Sequence, residues 1–194
     1  MNLPNKLTVL RVVLVPVFLI FIYLDSMPFN YLIAAIIFIA ASITDWLDGK
    51  IARSRNLITT FGKFLDPLAD KILVISALAV FVDNPVIDMS AVPLIIIITR
   101  EFLVSGMRLL AMEDGVVIAA GIWGKLKTAF TMVTVVVILA YLVTFCDFSI
   151  NAADIQSFIR TWVLEGLIWI STVLTIISGA VYLKNGWKYI AKTK

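Results

Sequence analysis

The stretch of sequence that decides the fold reads Asp45-x-x-Asp48-Gly49-x-x-Ala52-Arg53, followed by Gly62-x-x-x-Asp66-x-x-x-Asp70. We call residues 45–70 the aspartate motif. It places four carboxylates directly after an apolar run, in a chain whose residues are 61% hydrophobic. A carboxylate beside a membrane core is costly unless a cation or a reaction compensates it. The motif therefore predicts a functional site at the edge of a membrane segment.

The composition places the rest of the chain in a membrane. The 194 residues are only 15% charged, and their mean hydropathy is +1.03. A soluble domain of this length could not bury so much apolar surface. The apolar runs cover residues 9–24, 31–43, 68–82, 91–112, 128–146 and 161–183.

Each run approaches the roughly 20 residues with which a helix crosses about 30 Å of hydrocarbon. The second run reaches that length only if its helix continues through Asp45 to about Arg53. We therefore predict an all-α integral membrane protein with six transmembrane helices in a single domain, residues 1–194.

Positive charges concentrate on one side of these predicted helices. They are Lys6, Arg11, Lys50, Arg53, Arg55, Lys63, Arg100, Arg108, Lys125, Lys127, Lys184, Lys188, Lys192 and Lys194. The opposite connections, near residues 25–30, 83–90 and 147–160, contain five aspartates and one cation, Arg160. By the positive-inside rule, both termini and the aspartate motif face the cytoplasm. We expect a multi-pass protein of the cell membrane with its active site on the cytoplasmic face.

The absence of histidine and the single cysteine limit the kinds of catalysis and metal binding that the chain can support. It contains no histidine and a single cysteine, Cys146. Acid/base catalysis by histidine, histidine-ligated zinc and an internal disulfide are therefore excluded. The net charge of +3 lies mainly on one face and suits anionic lipid headgroups rather than nucleic acid.

The spacing within the aspartate motif fits two helices. If the second helix continues, Asp45, Asp48 and Ala52 share one face because they are three and four residues apart. Gly49 leaves the backbone there open to close approach. After a connection of roughly ten residues, about 54–62, the third helix is predicted to carry Asp66 and Asp70 on one face, with Pro67 in its first turn.

Four carboxylates on two antiparallel helices would repel one another unless hard cations neutralise them. Ligands that are all oxygen favour Mg²⁺ or Mn²⁺, and a two-metal site suits displacement at phosphorus. Arg53 could hold a phosphate through its planar fork of donors. Any single aspartate could instead be an ordinary charge at a helix end, but the complete spacing is rarely produced by chance.

The aspartate motif resembles, at every fixed position, the D-x-x-D-G-x-x-A-R-x8-G-x-x-x-D-x-x-x-D signature of CDP-alcohol phosphatidyltransferases. The resemblance implies six transmembrane helices, usually in a homodimer. It implies that Asp45, Asp48 and Asp66 bind two divalent cations, with Asp70 also near the metals. Asp70 would be the general base that deprotonates the attacking alcohol.

The same resemblance implies which residues hold the nucleotide of the CDP-linked lipid. Gly49 and Gly62 would make room for the cytidine, and Arg53 would hold the nucleotide side. Ala52 belongs to the same CDP-lipid-binding set.

Residues outside the motif resemble one subfamily, the phosphatidylglycerophosphate synthases, which join glycerol 3-phosphate to CDP-diacylglycerol. The resemblance lies in Pro4-Asn5-x-Leu7-Thr8-x-x-Arg11, Thr99-Arg100-Glu101, Arg108 and Gly124-Lys125-Leu126-Lys127-Thr128. Thr131 departs from the subfamily, which often has glutamine there.

A phosphorylated acceptor also suits the basic residues themselves. Arg100 and Arg108 lie within or beside an apolar run, where a lone cation is costly. A phosphate monoester would compensate several cations and favour bidentate contact with arginine. The acceptor phosphate is thus predicted to bind among Arg11, Arg100, Arg108, Lys125 and Lys127, with Asn5 and Thr8 hydrogen-bonding the glycerol hydroxyls.

Four alternatives stay open at this point. The acceptor could be phosphatidylglycerol, inositol phosphate or serine, and the lysines could bind lipid phosphates or only set the topology. The chain could also be a cation transporter, although transport usually needs polar groups near the membrane midplane, or a structural scaffold.

Overall fold

The computed structural model describes residues 3–55, 60–113, 121–150 and 152–190. Within these ranges, side chains are described for residues 5–45, 68–69, 71–112, 121–150 and 152–186. All secondary-structure elements in the described ranges are helices, and these ranges contain no strand. The helices are α1 (Leu3–Ile22), α2 (Asn30–Arg55), α3 (Thr60–Asp83), α4 (Ala91–Glu113), α5 (Ile122–Leu142), α6 (Ala153–Phe158) and α7 (Glu165–Ile190). Two π-helical segments, Val143–Asp147 and Ile159–Leu164, follow α5 and α6.

The helices agree with a membrane protein. Three described segments are long and apolar enough to cross a membrane: Asn5–Ile22, Ile122–Asp147 and Ala153–Gly186. A shorter apolar helix covers Asn30–Asp45. Each apolar run of the sequence overlaps one of the six long helices among the described residues. The all-α prediction is confirmed for the described residues.

Two predictions concern the helices that contain the aspartate motif: the extension of α2 is confirmed, and the predicted start of α3 is wrong. Helix α2 continues past Asp45 to Arg55, as its short apolar run required. Helix α3 begins at Thr60, before Gly62, so the predicted ten-residue connection is too long and Pro67 lies beyond the first helical turn. A proline removes only one backbone donor, and helices in a membrane tolerate this loss because neighbouring groups can satisfy the freed carbonyl.

The contacts within the chain form two compact units, which are described separately. The first unit comprises Met1–Asp88 and Val135–Gln156. In it, α1 packs against both α2 and α3. The rings of Phe18 and Phe38 lie 5.9 Å apart, centroid to centroid, and both side chains are fully buried. Aromatic burial of this kind dominates the stabilisation of a helical core.

Polar contacts tie together one end of the first unit. Asp147 accepts a hydrogen bond at 2.7 Å from the backbone N–H of Leu32, in the first turn of α2. The Tyr23 hydroxyl donates to Asp83 Oδ2 at 3.0 Å. Burial, and then the hydrogen bond and charge of Asp83, raise the pKa of the Tyr23 phenol. The phenol therefore remains a donor at neutral pH, and Asp147 satisfies a backbone donor that the helix itself leaves unpaired.

The second unit comprises Met89–Thr134 and Ser157–Lys194, and in it α4 packs against α7. Buried hydroxyl residues line α7: Ser171, Thr172, Thr175 and Ser178. The hydroxyls of Thr131 and Ser171 are 2.8 Å apart, so they join α5 to α7. Small hydroxyl residues allow helices in a membrane to approach closely and to hydrogen-bond across their interface.

Candidate functional site

The first unit carries the aspartate motif on two helices. The backbones of Asp45 and Asp48 lie in α2, and those of Asp66 and Asp70 lie in α3. Of these four side chains, only that of Asp45 is among the described ones. Gly49, Ala52, Arg53 and Gly62, predicted to hold the CDP-linked lipid, also lie outside the residues whose side chains are described.

The Asp45 carboxylate is paired with Arg11. Arg11 Nη1 lies 2.7 Å from Asp45 Oδ1; the Arg11 side chain is fully buried, whereas that of Asp45 is 43% exposed. A buried guanidinium is strongly destabilising without an anionic partner. The pair therefore links α1 to the start of the aspartate motif. The open side of Asp45 remains accessible to a ligand.

Asn5 and Thr8 lie on the same face of α1 as Arg11. The three residues follow one another at intervals of three, and Asn5 and Thr8 are 6% and 0% exposed. Polar side chains are rarely buried this deeply unless they are hydrogen-bonded. The amino-terminal half of α1 therefore contributes a row of buried polar side chains to the first unit.

The chemistry of the motif's donors fits a hard cation. All four of its acidic residues offer carboxylate oxygens, which Mg²⁺ and Mn²⁺ prefer. Asp45 keeps part of its carboxylate exposed while Arg11 fixes one oxygen. Among the described side chains, no group of three or more acidic, histidine or cysteine residues could hold a metal. The predicted metal site thus depends on Asp48, Asp66 and Asp70, which lie outside that part of the chain.

The second unit brings together three of the predicted acceptor residues. We call Arg100, Arg108 and Lys127, together with Glu101, the basic cluster. Glu101 Oε1 accepts hydrogen bonds from Arg100 Nη1 at 2.9 Å and from Lys127 Nζ. The side chains of Lys127 and Arg100 are only 5% and 11% exposed. Glu101 therefore neutralises two largely buried cations.

Tyr182 of α7 completes this arrangement. Its hydroxyl accepts hydrogen bonds from Arg108 Nη2 at 2.6 Å and from the Gly121 N–H at 3.0 Å. Its ring centroid lies 5.4 Å from the Arg100 guanidinium carbon and 5.2 Å from that of Arg108. Arg100 Nη2 also donates to the Ser178 hydroxyl at 2.6 Å.

Tyr182 and Ser178 were not predicted from the sequence as residues of this site. Both lie near the end of the last long apolar run, where a tyrosine is ordinarily expected as an interfacial residue. Their spacing of four residues places them on one face of α7. That spacing could have indicated a shared role, but it could not identify the arginines as partners.

The basic cluster has more positive than negative charge. The cluster contains three cations and one carboxylate, which leaves a formal excess of two positive charges. Arg100 Nε and Arg108 Nε are both buried and have no hydrogen-bond partner within the described residues. A buried donor without a partner is costly. The cluster is therefore suited to receive an anion with several acceptor oxygens.

Two other predicted acceptor residues differ in their surroundings. Lys125 is exposed, unlike Lys127 two residues later on α5. Arg11 belongs to the first unit and pairs with Asp45. The structure thus brings Arg100, Arg108 and Lys127 into one cluster. It does not place Lys125 among their buried side chains.

Comparison with known proteins identifies close relatives. Residues 1–180 match the CDP-alcohol phosphatidyltransferase family. The chain is 39% identical to a Bacillus subtilis protein, with 96% of each chain covered. It is 37% identical to one from Pseudomonas fluorescens, over 98% of this chain and 92% of the relative. A Haemophilus influenzae protein is 44% identical over 68% of this chain and 71% of its own length. All three are named CDP-diacylglycerol–glycerol-3-phosphate 3-phosphatidyltransferase.

Proposed function

We infer that this chain, which belongs to the CDP-alcohol phosphatidyltransferase family, transfers the phosphatidyl group of CDP-diacylglycerol to glycerol 3-phosphate and releases CMP. Relatives that cover nearly the full chain are named for this reaction. The observation in the structure that supports the phosphorylated acceptor is the basic cluster, with its excess of positive charge and two buried unpartnered donors.

For the metal site, we propose that Asp45, Asp48, Asp66 and Asp70 hold two divalent cations, Mg²⁺ or Mn²⁺. Held by these carboxylates, such cations would supply charge neutralisation of the diphosphate and polarisation of the phosphorus under attack. The ion pair between Asp45 and Arg11 supports a positioning role for Arg11 at this metal site. Arg11 fixes the direction of the Asp45 carboxylate, which is how a neighbouring group commonly orients a ligand.

Asp70 is proposed to be the general base. It accepts the proton of the acceptor hydroxyl while the new oxygen–phosphorus bond forms at the phosphatidyl phosphorus. The bond from that phosphorus to the CMP oxygen breaks, and CMP leaves with the electron pair. A carboxylate base needs a pKa low enough to be ionised and high enough to accept this proton. Gly49, Ala52, Arg53 and Gly62 are proposed to hold the CDP portion of the donor.

The basic cluster is proposed to bind the phosphate of glycerol 3-phosphate. A phosphate dianion matches the excess of two charges, and arginine can contact it through two parallel N–H groups. Arg100, Arg108 and Lys127 are the principal contacts in this proposal. Lys125 adds an exposed charge that attracts the anion.

On α1, Asn5 and Thr8 stay proposed as hydrogen-bonding partners of the acceptor. For Arg11, the ion pair with Asp45 favours support of the aspartate motif over direct binding of the acceptor phosphate.

Release of CMP by the purified protein tests this function. With CDP-diacylglycerol and Mg²⁺, we expect CMP release to require glycerol 3-phosphate and to be at least about a hundredfold slower with glycerol, because the cluster would lose its anion. Chelation by EDTA should stop the reaction, and Mg²⁺ or Mn²⁺ should restore it.

The same assay distinguishes the alternatives. A preference for phosphatidylglycerol, inositol phosphate or serine would contradict the proposed acceptor while retaining the reaction class. Metal uptake into vesicles without CMP release would instead indicate a cation transporter.

We further propose that all six long helices span the plasma membrane, with both termini and the active site at the cytoplasm. The distribution of lysine and arginine supports this topology. A reporter fused to Lys194 should react only with reagents that reach the cytoplasm, and reaction from outside intact cells would contradict it. The family resemblance also favours a homodimer, which cross-linking in native membranes would detect.

A further inference from the structure

We propose that Tyr182 is a positioning residue for the acceptor: it holds Arg100 and Arg108 in the geometry that receives the phosphate of glycerol 3-phosphate. The proposal rests on the proposed function of the basic cluster. Tyr182 belongs to α7, whereas both arginines belong to α4. Its effect would be on binding of the acceptor and not on the displacement at phosphorus.

The contacts of Tyr182 with Arg108 are the first support. Tyr182 accepts a hydrogen bond of 2.6 Å from Arg108 Nη2, and its hydroxyl also receives the Gly121 N–H at 3.0 Å. The hydroxyl therefore connects the guanidinium to the backbone that begins α5. Hydrogen bonds in which one partner is ionised are stronger than neutral ones. Without this acceptor, Arg108 would lose its hydrogen bond to α7.

The aromatic ring is the second support. Both guanidinium carbons lie within 5.4 Å of its centroid, inside the range of cation–π attraction. Two arginines near each other repel, and the electron-rich ring offsets part of that cost. The ring thus allows two like charges to be held together before an anion arrives.

The glycines around the cluster are the third support. A Cβ atom on Gly124 would lie 3.2 Å from the Tyr182 hydroxyl and 3.7 Å from Arg100 Nη2. A Cβ atom on Gly179 would lie 3.2 Å from Arg100 Cγ. Both distances to the nearest atom are tighter than ordinary van der Waals contact. Gly124 and Gly179 therefore leave the space that this packing of Arg100 and Tyr182 occupies.

Preorganisation explains how these contacts would act. Long cationic side chains lose rotamer entropy when they bind an anion. Holding them in the binding geometry beforehand reduces this cost and so increases affinity. Since Tyr182 is proposed to act through the arginines, its loss should raise KM for glycerol 3-phosphate and leave kcat at saturation nearly unchanged.

Tyr182→Phe, which retains the ring and removes the hydroxyl, is the primary test. We expect KM for glycerol 3-phosphate to rise about tenfold, with kcat and KM for CDP-diacylglycerol within about twofold of the wild type. Tyr182→Leu, which also removes the ring, should raise KM further. Tyr141→Phe is the matched control because Tyr141 is 4% exposed and its buried hydroxyl has no hydrogen-bond partner within the described residues. It should leave all three constants unchanged.

Binding of inorganic phosphate, measured by calorimetry on the detergent-solubilised protein, separates this proposal from the proposed function. The wild type should bind phosphate saturably, and Tyr182→Phe should bind it about tenfold more weakly. If the wild type binds phosphate but does not use glycerol 3-phosphate, the proposed acceptor is wrong. The role of the basic cluster in binding an anion would still be supported.

Two results would overturn the role of Tyr182. One is a phosphate affinity and a glycerol 3-phosphate KM that Tyr182→Phe leaves unchanged. The other is a loss confined to kcat. If Tyr182→Leu fails to fold, Tyr182→Phe still decides the question, because it conserves the volume of the ring.

Discussion

Asp70→Asn is expected to lower kcat by about a thousandfold while the Kd for CDP-diacylglycerol changes by less than about threefold. General base catalysis typically contributes 10²- to 10⁴-fold to a rate, and an amide cannot accept the proton of the acceptor hydroxyl. The asparagine side chain keeps the volume of aspartate and one oxygen donor. Binding of the donor lipid should therefore survive. CMP release at saturating glycerol 3-phosphate, together with equilibrium binding of CDP-diacylglycerol, measures the two effects.

Asp88→Asn is the control for this substitution. Asp88 is exposed in the connection between α3 and α4, and its backbone has a positive φ of 52°, a conformation that asparagine also tolerates. This variant should keep wild-type kcat. If Asp70→Asn retained a near-normal rate, Asp70 could not be the base. If it lost donor binding as severely as turnover, its main role would be in holding the metals.

Glu101→Ala is expected to destabilise the protein by about 3–5 kcal/mol, because it removes one partner of a buried ion pair. Lys127 and Arg100 both donate to this carboxylate. With Glu101 absent, an ammonium that is 5% exposed has lost its compensating carboxylate. The loss should appear as a lower midpoint of thermal or denaturant unfolding in detergent.

Adding Lys127→Met to this variant separates stability from binding. Removing both members of a buried pair is often nearly neutral, so the double variant should regain the part of the stability that is lost through Lys127, while Arg100 still lacks its carboxylate partner. Its KM for glycerol 3-phosphate should nevertheless stay well above the wild-type value, since Lys127 no longer offers its charge to the phosphate.

Glu165→Ala is the control for loss of a carboxylate, because Glu165 is exposed at the start of α7. It should cost less than about 1 kcal/mol. Full stability in Glu101→Ala would show that Glu101 does not compensate the buried cations. A normal KM in the double variant would remove Lys127 from the acceptor site.

The sequence by itself predicted the features that depend on residues close together along the chain. Hydropathy located the long helices, and the short second apolar run correctly required α2 to continue beyond Asp45. The spacing of the aspartate motif indicated the family to which the chain belongs. The start of α3 was placed too late: Pro67 was expected in its first turn, whereas α3 includes Thr60 and contains the proline farther along, as a membrane helix can.

Partners of the buried charges were decided only by tertiary structure. The binding of the acceptor by Arg11 stays a prediction, and only the structure shows that its guanidinium pairs with Asp45 across α1 and α2. Tyr182 was not predicted at all, although it contacts both arginines of the basic cluster. Helix formation and membrane insertion depend on residues a few positions apart, and the sequence displays these directly. The partner of a buried charge depends on which remote helices pack together, and that packing is set by the whole chain.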